Sequence, residues 1–155
     1  EFGCSNKRWY TKEELAELPE GVGLSQGAIG FHIPGAFDKI YPIEKCHLMD
    51  DFCNKVRNAI RDYSFENDIQ FYDIRAQHGL LRDIMFRNSN TGEWMVLVQF
   101  KFEEAGDEQK AIDLLQFISD KFPEITSLLY VDNQKGNDTF NDIPITVFKG
   151  NDHIF

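Results

Sequence analysis

Two windows of the chain repeat apolar residues at helical spacing. From Asp50 to Phe65, the residues Phe52, Val56, Ala59, Ile60 and Tyr63 share one face, and Asp50 and Asp51 stand at the positive end of the helix dipole. From Asp107 to Phe122 the pattern recurs with Ala111, Leu114, Leu115, Ile118 and Phe122, and Pro123 ends it. A third, shorter helix is predicted from Thr11 to Leu18, where Thr11 and Glu14 form a capping box and Pro19 stops the run. Alternation takes over elsewhere. Trp94, Val96, Val98, Phe100 and Phe102 line one face of a strand over Glu93–Phe102, and Asn88–Gly92 joins it to a strand over Leu80–Arg87. Ala28–Ile33 and Lys39–Ile43 form a second predicted hairpin around Pro34–Asp38, which delivers Cys46 to the start of the first long helix. Thr126–Val131 is a further strand, Asp132–Asp142 a polar loop, and Ile143–Lys149 a closing edge strand with Pro144 near its start.

The order of strands, helix, hairpin, helix and strands predicts an α+β fold: an antiparallel or mixed β-sheet covered on one face by two main α-helices. The 155 residues fit one domain, 1–155, with Thr11–Gly27 as a mobile insertion between strands. Twenty-one aromatic residues supply a core that needs no disulfide staples. Three cysteines, Cys4, Cys46 and Cys53, with no CxxC pair and no secretory leader, predict a reducing, cytoplasmic setting. No apolar run is long enough to span a membrane as a helix. The net charge of −10 argues against holding a polyanion over the whole surface, so any contact with nucleic acid must be local. The abrupt ends, Glu1-Phe2-Gly3 and Ile154-Phe155, predict a piece of a larger protein.

Candidate chemistry is sparse. His32, His78 and His153 lie far apart with no nucleophile elbow, and the glycines between 21 and 35 form no phosphate-binding pattern, so no catalytic residue is assigned. Cys46-His47 with Cys53 matches no zinc spacing. Cys53 reads as a packed thiol on the helix face, whereas Cys46 falls in a polar turn. Arg75, Arg82 and Arg87, near Trp94, form the one basic and aromatic stretch. Their guanidinium groups suit an RNA backbone, and pairing with Asp73 and Asp83 is the equal alternative.

Two segments carry a more specific likeness. Ile29-Gly30-Phe31-His32-Ile33-Pro34-Gly35 with Ile43-Glu44-Lys45-Cys46, and Gly79-Leu80-Leu81-Arg82 with Arg87 and Thr91-Gly92-Glu93-Trp94-Met95-Val96, resemble stretches of SAM-dependent RNA (uracil-5-)-methyltransferases. Asp132-Asn133, Asp138-Thr139 and Lys149-Gly150 with Ile154 continue the resemblance in order, so that it covers about Ala28 to Phe155. It is strongest to the branch acting on 23S rRNA, beside its tRNA-modifying relatives. The resemblance implies a central, RNA-binding domain between an upstream TRAM barrel and a downstream domain that binds S-adenosylmethionine and carries the catalytic residues. It places Cys46 as the last of four cysteine ligands of a [4Fe–4S] cluster, the other three lying upstream. This piece alone is then expected to be inactive and to lack its cluster, and its bare former interfaces give it the option of a non-native dimer. The alternative function is a non-enzymatic, acidic protein–protein interaction domain that docks through Thr11–Leu18 onto a basic partner.

Overall fold

The alternating run Trp94, Val96, Val98 and Phe100 becomes the helix-covered face of a strand well inside the sheet. A computed structural model describes residues 1–21 and 27–155 of the chain. In order, the elements are β1 (Phe2–Ser5), α1 (Lys12–Glu17), β2 (Ala28–Ile33), β3 (Ala36–Pro42), α2 (Asp51–Glu66), β4 (Leu81–Asn88), β5 (Trp94–Phe100), α3 (Asp107–Lys121), β6 (Ile125–Asp132) and β7 (Thr146–Gly150). The strands form one seven-stranded sheet in the order β3-β2-β1-β4-β5-β6-β7. Every neighbouring pair is antiparallel except β5 and β6, which run parallel because α3 carries the chain back between them. The mixed sheet expected from the element order is therefore present.

Both long helices lie on one face. Val56 and Ile60 of α2 and Ala111, Leu114, Leu115 and Ile118 of α3 pack with Ile84, Phe86, Val96, Val98, Phe100 and Leu128 in one core, and Tyr63 stacks on Phe117 at 4.5 Å where the helices meet. The opposite face carries a smaller cluster of Leu97, Leu129 and Val131, with Met85, Met95 and Phe140 against it. Phe140 belongs to the loop that follows β6, so this loop lies over the second face.

Four local outcomes differ from the sequence reading. β1, buried at all four residues, enters the sheet between β2 and β4 without an alternating pattern to announce it. The first hairpin is tighter than expected: Ile33 pairs with Ala36, so the loop is Pro34-Gly35, with Gly35 at a φ of 80° as a proline–glycine turn requires. The last strand begins only after Pro144, whose missing N–H keeps it out of the ladder. Cys46, placed by its neighbours in a polar turn, has only 6% of its surface exposed. α1 forms with the expected capping box and no buried residue, while the remainder of the insertion expected at Thr11–Gly27 includes residues 22–26, outside the described residues. No helix among the described residues is long and apolar enough to cross a membrane.

Candidate functional site

The turn between β3 and α2 is held from the helix side by a row of polar groups. Asn54 brackets Cys46, accepting its N–H at 2.8 Å on Oδ1 and donating Nδ2 to its carbonyl at 3.2 Å. Two residues earlier, the Glu44 carbonyl accepts from Arg57 Nη2 at 2.9 Å and from Asn58 Nδ2 at 3.0 Å, and the Glu44 carboxylate pairs with Arg61 at 2.6 Å. The side chains of one helix thus fix the backbone that presents Cys46. Burial pushes the neighbouring Cys53 thiol up to about 11, so it stays protonated and packs as expected. Leu48, two residues after Cys46, is 97% exposed.

Arg57 was not legible as a site residue. It is 1% exposed, its guanidinium lies 4.7 Å from the centre of the Phe2 ring, and no carboxylate among the described residues lies within ion-pairing distance. Its Nε and Nη1 have no hydrogen-bond partner. Burial pulls its pKa below the usual guanidinium value, opposed by the attraction of Cys46 nearby.

The three arginines of the basic stretch fall into three environments. The Arg82 side chain is fully buried and donates to the carbonyls of Asn133 (2.7 Å), Lys135 (2.6 Å) and Asn137 (2.9 Å) and to the Asp138 carboxylate (2.9 Å), with its guanidinium 4.1 Å from the centre of the Tyr72 ring. It clamps the loop after β6 onto the sheet, and so has no face left for a phosphate. Arg75 is exposed and binds Asp38 at 2.6 Å, which holds the Asp38 carboxyl below its ordinary value. Arg87 is exposed near the far end of β4, where its Nε contacts the Met85 sulfur at 3.5 Å. The side-chain partners are therefore Asp138 and Asp38, not the Asp83 and Asp73 suggested by sequence proximity; Asp73 instead accepts the Arg75 backbone N–H at 2.9 Å.

Asp83 is left buried beside this clamp. Burial first, then the negative charges of Glu1 and Asp138, push its carboxyl up to about 9, and its Oδ1 has no partner. On the other side of the loop before β4, a cavity of about 490 Å³ is lined by Asn6, Phe65, Gln70, Phe71, Asp73 and His78, among others. The Phe65 and Phe71 rings of this lining are in contact with each other, their centres 5.5 Å apart. Among the described residues no group of three or more His, Cys, Asp or Glu could hold a metal ion. A four-ligand cluster using Cys46 would therefore need at least two ligands beyond those the described residues bring together.

No protein-family model matches the chain. It is 53% identical over 156 residues, its whole length, to a protein of Bacteroides thetaiotaomicron named as an uncharacterized RNA methyltransferase, and 40% identical over 157 residues to one of Porphyromonas gingivalis bearing the same name. The chain spans 34% and 33% of the length of these two relatives. Its fold is similar to part of the crystal structure of a Pyrococcus abyssi tRNA (uracil-54, C5)-methyltransferase in complex with S-adenosyl-L-homocysteine, with a TM-score of 0.55, 20% identity, 76% of this chain and 27% of that one covered. From end to end, this chain is thus homologous to a segment about a third the length of proteins named as RNA methyltransferases, and it shares its α+β fold with part of a solved one.

Proposed function

We propose that the intact protein transfers a methyl group from S-adenosylmethionine to C5 of a uridine in 23S rRNA, and that this segment contributes RNA recognition and one cluster ligand rather than the chemistry. The observation that carries the reading is the 53% identity over the whole segment to an RNA methyltransferase. The uridine C5 and the 23S rRNA rest on the resemblance of the Gly30–Cys46 and Gly79–Val96 stretches to that branch, and the fold likeness to a tRNA uracil methyltransferase supports the same chemistry. In such enzymes a cysteine thiolate adds to C6 of the base before C5 is methylated. None of the cysteines here is a candidate for that role: Cys4 and Cys53 are buried thiols whose pKa values burial raises, and Cys46 is the ligand position.

Within the segment, the exposed Arg87 is available to RNA phosphates, Arg75 would reach them by leaving Asp38, and Arg82 acts indirectly by holding the 133–138 loop. The cavity beside Phe65 and Phe71 offers aromatic faces and amide groups of the kind a splayed, unpaired base uses. Cys46 would supply one thiolate to a [4Fe–4S] cluster, which would tie this turn to the segments carrying the remaining ligands. The negative total charge leaves the positive field to the rest of the protein.

The test uses the intact parent, expressed anaerobically with and without Cys46→Ala, recording cluster absorption and methylation of 23S rRNA and tRNA. Methylation of 23S rRNA by the wild type, with a cluster lost on substitution, is the expected result. A colourless parent without methyltransferase activity would sink the reading and favour the acidic interaction domain.

A further inference from the structure

A guanidinium loses most of its hydration when buried, and proteins compensate by pairing it with a carboxylate or by satisfying all its N–H groups. Arg57 has neither. One terminal nitrogen reaches the Glu44 carbonyl at 2.9 Å, an aromatic face lies at 4.7 Å, and Nε and Nη1 remain without partners in a residue 1% exposed. The fork contrasts with Arg82, equally buried, whose terminal nitrogens meet four oxygens including a carboxylate. The place where Arg57 sits makes the deficit informative. It projects from the same side of α2 as Asn54, which holds both backbone groups of Cys46, and itself holds residue 44 of the same turn. Glu44, however, directs its carboxylate to Arg61.

A buried cation that lacks an anion, with two idle donors on a side chain that itself holds the turn carrying Cys46, fits an environment awaiting negative charge at that turn. We propose that Arg57 is the built-in counter-cation and hydrogen-bond donor for a cluster ligated by Cys46, a positioning residue that sets the retention and reduction potential of that cluster. This rests on the reading of Cys46 as a cluster ligand. An iron–sulfur cluster held by thiolates is anionic overall, and nearby positive charge and N–H donors to its sulfurs favour the reduced, more negative state. Simple pinning of the turn would account for Nη2 but not for the unpartnered Nε and Nη1.

The experiment compares the intact parent, purified anaerobically, as wild type, Arg57→Met, Arg57→Lys and Cys46→Ser, measuring iron content, the rate of cluster bleaching by a chelator and the midpoint potential. Arg57→Met is expected to retain a folded protein with a more negative potential and to lose its cluster about tenfold faster or more. Arg57→Lys keeps the charge without the planar fork, so it is expected to hold the wild-type potential while bleaching faster. A folded, loaded Met variant with unchanged potential and bleaching would overturn the role of Arg57. Should the Met variant fail to fold, a Lys variant matching the wild type in bleaching would overturn it equally. If Cys46→Ser keeps the wild-type iron content and potential, it is the ligand reading that fails, and the role of Arg57 goes with it.

Discussion

Replacing Asp83 by Asn should make the domain more stable, and increasingly so as pH rises. The carboxyl titrates near 9 in the folded chain, first because it is buried and then because Glu1 and Asp138 are negative, whereas an unfolded Asp titrates near 4. A folded pKa raised above the unfolded one means that the native state holds its proton longer. Its stability is intact below about pH 4 and is lost progressively up to about pH 9. At pH 7 the interval is about three units at about 1.4 kcal/mol each, a ceiling of about 4 kcal/mol that the buried carboxyl costs the fold. Asn removes the titration but buries two N–H donors where the neutral acid has one O–H, which returns about 1 to 3 kcal/mol. The net gain at pH 7 is therefore about 1 to 3 kcal/mol. Urea unfolding of the 155-residue chain and its Asp83→Asn variant at pH 5, 6, 7 and 8 isolates the effect, since all other titrating groups cancel in the difference. The variant's advantage should grow with each step in pH. An advantage that does not change with pH would refute the buried, neutral Asp83.

Other substitutions probe separate parts of the structure. Arg82→Met removes a buried cation and its four hydrogen bonds to the 133–138 loop; it should cost about 3 to 5 kcal/mol and speed amide exchange through that loop, measured by hydrogen–deuterium exchange. Gly79→Ala places a Cβ 2.5 Å from the Phe71 carbonyl at a φ of 123°, and should destabilise by more than about 2 kcal/mol in the same unfolding assay. Arg87→Glu, at an exposed position, should change stability by less than about 0.5 kcal/mol yet weaken RNA binding by the intact parent and lower its salt slope by about one or more, read by titration at several salt concentrations.

The elements that sequence periodicity reached were those with one buried face. α2, α3 and the β4–β5 hairpin all alternate or repeat because helices cover one side and a thinner layer the other. β1 was beyond reach for the opposite reason: Phe2, Gly3, Cys4 and Ser5 are all buried, and a four-residue strand with no polar face leaves no period to detect. The parallel pairing of β5 with β6 follows from the intervening helix, but local pattern cannot distinguish it from an antiparallel return. Site residues were harder still. Cys46 was singled out by its resemblance, and the turn that holds it depends on Asn54 and Arg57, two polar residues on a helix whose apolar stripe was read from Phe52, Val56, Ala59, Ile60 and Tyr63. A charged side chain reads as solvated surface in any one-dimensional pattern. Arg57 and Arg82 both defeat that rule, since one faces the Cys46 turn and the other meets carbonyls that only the fold brings within reach.

The most direct measurement is to incubate the intact parent with S-adenosylmethionine and either 23S rRNA or tRNA, and to map any new methyl group by mass spectrometry. The expected product is 5-methyluridine in 23S rRNA. Methylation confined to tRNA would contradict the 23S assignment, and the absence of a methylated base in either RNA would contradict the proposed activity altogether.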